Sequence, residues 1–178
     1  MKKTLLFILA LCLCFTAFGA AFAETAAAEA RTAEKPAAEM TAEELYQAGR
    51  DAINAEDYGK AMEYFQLAAD AGNAEGWRGL GNMYADGLGV EPDYNRAMEY
   101  YHLAADQGDA KAFFNIGSFY QYGLGLEQDY GKALEYYERS GELGYSDAYV
   151  ELGSMYQYGG GVEQDIGKAA ECYQKAIA

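Results

Sequence analysis

An all-α solenoid of helix-turn-helix repeats is the fold class this sequence predicts. Three observations carry that prediction. A segment returns every 36 residues, small and apolar side chains fall at spacings of three and four within each copy, and glycine-rich turns recur at the same place in the register. The segment Tyr58-Gly-Lys-Ala-Met-Glu-Tyr-Phe65 comes back over 94–101, 130–137 and 166–173. A fixed period of this length means stacked units, each able to bury its apolar face only against a neighbour.

In chain order, Lys2 and Lys3 precede an apolar run from Leu5 to Phe18 and a small-residue end, Ala21-Phe22-Ala23. That layout predicts a secretory signal peptide over 1–23, cleaved after Ala23. The alternative, a retained membrane anchor, asks for a longer apolar run and a stop-transfer pattern. A periplasmic or secreted protein with no membrane insertion after cleavage is therefore expected. Cys12 and Cys14 each follow a leucine, where lipid modification requires a small residue, so both leave with the peptide. Cys172 alone stays, which excludes an intramolecular disulfide. Residues 24–40 are rich in Ala and Glu, include Pro36, and lack aromatic or branched apolar side chains. They read as a flexible tether.

The chain carries 28 acidic and 13 basic residues, a net charge of −15, and cleavage removes two lysines and no acid. Such a charge repels phosphate backbones and anionic head groups, so no nucleic acid partner is expected and a basic or neutral protein fits better. A monomer is expected.

Within a unit, Trp77, Leu80, Gly81 and Tyr84 line one face of a first helix running from about Ala74 to Ala85. Glycine in a helix costs roughly 1 kcal/mol relative to alanine, so its return at Gly117 and Gly153 implies a neighbouring element in close approach. Asp57, Asp93, Asp129 and Asp165 stand where N-caps of the second helices are required. Between the two helices lie Gly87-x-Gly89, Gly123-x-Gly125 and Gly159-x-Gly161, turns that end the first helix and permit positive φ.

The pattern Ala112…Ile116-Gly117…Tyr120…Gly123-x-Gly125…Asp129…Ala133…Tyr137, with Ala104-Ala105, resembles the Sel-one-like repeat (SLR) family, a branch of the tetratricopeptide superfamily. Three copies match, over 73–108, 109–144 and 145–178, and the helix pair at 41–72, with a shorter turn and Gly49 in the place of Gly81, looks like an ordinary tetratricopeptide unit. Two departures are visible. Ser140-Gly141 replaces an Ala-Ala pair, which is expected to loosen packing, and Cys172 replaces Tyr64, Tyr100 and Tyr136 as a buried substitute. The resemblance implies a right-handed α-solenoid whose concave face scaffolds protein assemblies or envelope regulation.

Some secreted relatives are cysteine-rich and linked to penicillin binding or hydrolysis, so an envelope enzyme acting on β-lactams or peptidoglycan is the alternative function, and a secreted host-interaction factor a third. The residues argue against catalysis. Ser118, Ser140, Ser146 and Ser154 all lack the Ser-x-x-Lys spacing. His102 is the single histidine, at a position shared with Gln66, Glu138 and Gln174, and is expected to be an exposed variable residue. No triad, and no His-rich zinc site, can be built from it. The Gly-x-Gly turns follow a helix and lack the third glycine and lysine of phosphate loops. Asp86, Glu91 and Asp93 could approach a calcium ion, but Tyr122 and Tyr158 stand at the first of these positions in later copies. Neither metal nor cofactor is expected.

In tetratricopeptide-like units the first helix lines the concave face. Counting from the Leu-Gly glycine predicts a partner-binding face of Tyr46 and Arg50; Arg78, Asn82 and Asp86; Phe114, Ser118, Gln121 and Tyr122; and Ser154, Gln157 and Tyr158. The same count adds Ile53, Asn54, Ala85 and Val150. Phe114, Tyr122 and Tyr158 are aromatics the core register does not demand, and aromatics beside Ser, Asn and Gln suit protein recognition. The competing reading folds these rings back onto adjacent helices.

Overall fold

The computed structural model describes residues 35–177; the signal peptide expected over 1–23 and most of the tether expected over 24–40 lie outside them. Two units are distinguished. The leading one reaches Glu39 and contributes a single 3-10 turn, Ala37–Glu39, and the other begins at Met40.

The second unit is all-helical among the described residues. Its eight α-helices are α1 (Ala42–Asn54), α2 (Tyr58–Asp70), α3 (Ala74–Asp86), α4 (Tyr94–Asp106), α5 (Ala110–Tyr122), α6 (Tyr130–Glu142), α7 (Ser146–Tyr158) and α8 (Ile166–Ala176). Consecutive helices pack on one another down the chain, and α1 also touches α3. This is the α-solenoid the 36-residue period predicts.

Local chemistry sets the helix ends. Asp57, Asp93, Asp129 and Asp165 each accept the backbone N–H three residues on, capping α2, α4, α6 and α8. Thr41 and Glu44 form a reciprocal capping box on α1, and Asn73 and Asp109 cap α3 and α5. Each such cap is worth about 1 kcal/mol. Gly87, Gly123 and Gly159 end α3, α5 and α7 in the left-handed conformation.

The glycines within the first helices admit aromatic rings. A methyl group on Gly81 would lie 2.5 Å from the Tyr101 ring, one on Gly117 2.8 Å from Tyr137, and one on Gly153 2.6 Å from Tyr173; Gly49 meets Phe65 at 2.6 Å. The close approach implied by the repeated glycine is thus a second-helix ring pressed onto the backbone of the first helix. Units are joined in a similar way, because the turn glycines Gly89 and Gly125 sit against Cβ of Tyr58 and Tyr94, at the start of the preceding unit's second helix. A column of rings, half-buried except for buried Tyr84, adds further contacts, with Tyr100 stacked between Trp77 and Tyr84, and Tyr136 stacked on Tyr120.

Three local expectations are corrected. Packing at Ser140-Gly141 is filled, not loosened: the Ser140 hydroxyl donates to the Ala110 carbonyl at 2.7 Å, and the Tyr149 ring occupies the space beside Gly141. His102 is half-buried, its ring edge against Tyr136, where an exposed residue was expected. Cys172 is half-buried rather than buried, and burial pushes its thiol up from its ordinary pKa, away from thiolate chemistry.

Candidate binding groove

A groove of about 380 Å³ opens on the first-helix side of the solenoid. Tyr46, Arg50, Ile53 and Asn54 reach it from α1; Arg78, Asn82 and Asp86 from α3; and Lys111 from the first turn of α5. Phe65, Met83 and Leu88 supply apolar wall. The residues counted onto one face of α1 and α3 therefore meet around one cavity, except Ala85, which packs against the hydrophobic core instead. Those of α5 and α7 lie outside it.

Two of the expected surface residues form the floor instead. Tyr46 and Arg78 are each only 7% exposed. The Arg78 guanidinium donates through Nε to Asp109 at 2.9 Å, and through Nη2 to Glu75 at 2.8 Å and the Tyr46 hydroxyl at 3.3 Å. Burial works against its charge, but the Asp109 carboxylate and the Tyr46 oxygen outweigh that and raise its pKa. Arg78 thereby ties α1, α3 and the N-cap of α5 together, a use of an arginine fork that lysine could not copy.

Phe114 is corrected in the same sense. It occupies the register position of Arg78 one unit on, and packs at 5.2 Å against both Tyr137 and Tyr145. Tyr145 in turn occupies the register position of Asp109, and α7 has no side-chain cap. The Arg78–Asp109 ion pair of one interface is thus replaced by a Phe114–Tyr145 aromatic pair in the next. Tyr122 and Tyr158 remain exposed, at 61% and 75%.

The polar members are held from beneath. Each tyrosine ring that passes a first-helix glycine brings its hydroxyl out on the groove side: Tyr101 donates to Asn82 Oδ1 at 2.9 Å, Tyr137 to Gln121 Oε1, and Tyr173 to Gln157 Oε1 at 2.7 Å. Asn115 also donates to Asn82 Oδ1, at 3.2 Å. Burial, with Asp86 near one and Glu151 near the other, pushes the Tyr101 and Tyr137 phenols well above their ordinary range, so both stay protonated donors. Ser118 and Ser154 are half-buried on the same helix faces.

Sequence reasoning missed Lys111. A signal was present, since its register position holds Glu75 in the preceding copy and Asp147 in the following one, making Lys111 a charge reversal. Among the described residues no three His, Cys, Asp or Glu side chains converge as a metal site requires, and no helix is long and apolar enough to cross a membrane.

The Sel1 repeat family model matches residues 35–73, 78–109, 110–145 and 146–178. No curated protein matches the chain. Among solved structures, a Sel1 repeat protein from Oxalobacter formigenes is similar with 30% identity and a TM-score of 0.68, over 80% of this chain and 60% of that one. A second, c5321, a protective antigen of uropathogenic Escherichia coli strains displaying an SLR fold, is 31% identical with a TM-score of 0.68, over 76% of this chain and 30% of that one. The chain thus spans less than two thirds of either relative. On the family match and these two structures together, the chain belongs to the Sel1 repeat family.

Proposed function

We propose that this protein is an exported adaptor that holds a segment of a partner protein in the groove of α1, α3 and α5. Sel1 repeat proteins typically mediate protein–protein interaction, and their fold is generally a non-catalytic scaffold. The observation that carries the reading is the groove itself. Its polar rim, Arg50, Asn54, Asn82 and Asp86, surrounds a floor in which Tyr46 and Arg78 are already locked by hydrogen bonds. A preorganised site loses little side-chain entropy on binding, so more of its contact energy appears as affinity.

A photo-crosslinking residue at Asn54 tests this in intact cells, with the same residue at exposed Glu99 on α4 as control. A covalent adduct to one protein from Asn54 and not from Glu99 is the expected result; equal labelling from both refutes the groove. Export rests on the leader-like residues 1–23. Mass analysis of exported protein should find Glu24 as the first residue, and an intact 1–23 segment would overturn it.

A further inference from the structure

The charge of the groove runs against that of the chain. At a net charge of −15 the protein as a whole favours a basic partner. Yet α1, α3, α5 and α7 together carry three cations, Arg50, Arg78 and Lys111, and all three line the groove. The cations of α2, α4 and α6 are engaged elsewhere: Lys60, Arg96 and Lys132 pair with their own N-cap aspartates, and Arg139 with Glu142. Arg50 has no ion pair among the described residues, and the Lys111 ammonium lies over the Tyr145 ring at 5.8 Å without a carboxylate.

The neutral groups of the groove point the same way. Asn82 Oδ1 is taken by Tyr101 and Asn115, which leaves the Nδ2 hydrogens as the free end of that amide. The Tyr46 oxygen accepts from Arg78, leaving its own proton to donate. Glu75 and Asp109 are committed to Arg78, so the one carboxylate facing the groove without a strong partner is Asp86, at its edge. Donors and cations outnumber acceptors. Carboxylates are the complementary chemistry on a protein segment.

We infer that the groove takes an acidic segment of the partner, with Asp or Glu carboxylates set against Arg50 and Lys111 and the backbone carbonyls against Asn82. The inference rests on the groove being the partner site.

The test uses the full chain and fluorescence anisotropy with an end-blocked ten-residue peptide of alternating Glu and Ala, beside its Gln isostere. The Glu peptide should bind at least tenfold more tightly. Arg50→Glu and Lys111→Glu should each weaken it tenfold or more with circular dichroism and melting unchanged, Arg50→Lys should retain most of the affinity, and Asp86→Asn should improve it about twofold. Charge reversal is the deciding readout rather than salt, because salt also screens the long-range repulsion from the rest of the chain. Equal binding of the Glu and Gln peptides, no binding of either, or binding that survives both reversals overturns the inference. An Asn54 crosslink that maps to a neutral or basic stretch of the partner overturns it too while leaving the groove reading intact, whereas absence of any groove crosslink removes both.

Discussion

Replacing Gly117 by alanine isolates the packing that shapes the first-helix face. Helix propensity alone favours the change by about 1 kcal/mol. Geometry opposes it: the added methyl would lie 2.8 and 2.9 Å from two carbons of the Tyr137 ring and 3.3 Å from the Ala133 carbonyl oxygen. The ring has little room to retreat, since Tyr137 is 1% exposed, packs on Phe114, and is anchored through its hydroxyl to Gln121. Overpacking of this kind costs roughly 1–3 kcal/mol, so after the propensity gain the net expectation is a loss of about 0–2 kcal/mol. Leucine there should cost more. Gly59→Ala is the control, because its added methyl meets nothing closer than the Asp57 carboxylate at 3.9 Å, and propensity should stabilise it by a few tenths to about 1 kcal/mol. Urea unfolding followed by circular dichroism reads both, with m-values compared because repeat arrays can lose cooperativity. Combining Gly117→Ala with Tyr137→Leu should recover about 0.5 kcal/mol or more relative to the sum of the single losses. Equal midpoints for Gly117→Ala and Gly59→Ala, or strict additivity in the pair, would refute the claim that the ring excludes a side chain at 117.

Arg78→Met should cost about 3–5 kcal/mol by leaving buried Asp109 unpaired, and chemical denaturation showing a loss below about 1 kcal/mol would contradict the inter-unit tie. Phe114→Ala should lower stability by roughly 2 kcal/mol through its two ring contacts, while Tyr122→Ala, at an exposed position, should leave the melting midpoint unchanged. Alkaline pH should unfold the protein. Tyr101 and Tyr137 have folded pKa values raised above the unfolded value of about 10, so the native state holds more protons and stability falls as pH rises past about 10. Tyrosinate absorbance should therefore show a fraction, Tyr101 and Tyr137 among it, that appears only with loss of helicity; a single smooth titration of a still-folded protein would contradict this.

Much of the fold was legible because it is encoded locally and written several times. Aspartate caps, left-handed glycines and a small residue opposite a ring act within one unit, and repetition at Asp93, Asp129 and Asp165 separates them from chance. The surface count failed where a contact spans one unit to the next. Arg78 reaches Tyr46 and Asp109, 32 and 31 residues away, so its burial depends on which neighbours meet at the interface rather than on its place along α3. Phe114 and Tyr145 follow the same rule, and seeing it required reading positions 78 with 109, and 114 with 145, as exchanging partners. The hydroxyls beneath Asn82, Gln121 and Gln157 were equally out of reach: the period shows that Tyr101, Tyr137 and Tyr173 are large, but not that their oxygens emerge beyond the glycine.

Amide hydrogen exchange of the chain, alone and saturated with the partner captured by the Asn54 crosslink, tests the groove as the binding site most directly. Binding there should slow exchange along α1, along the Arg78-to-Asp86 stretch of α3 and in the first turn of α5, with α4, α6 and α8 unaffected. Protection confined to those second helices, or spread evenly over all units, would contradict it.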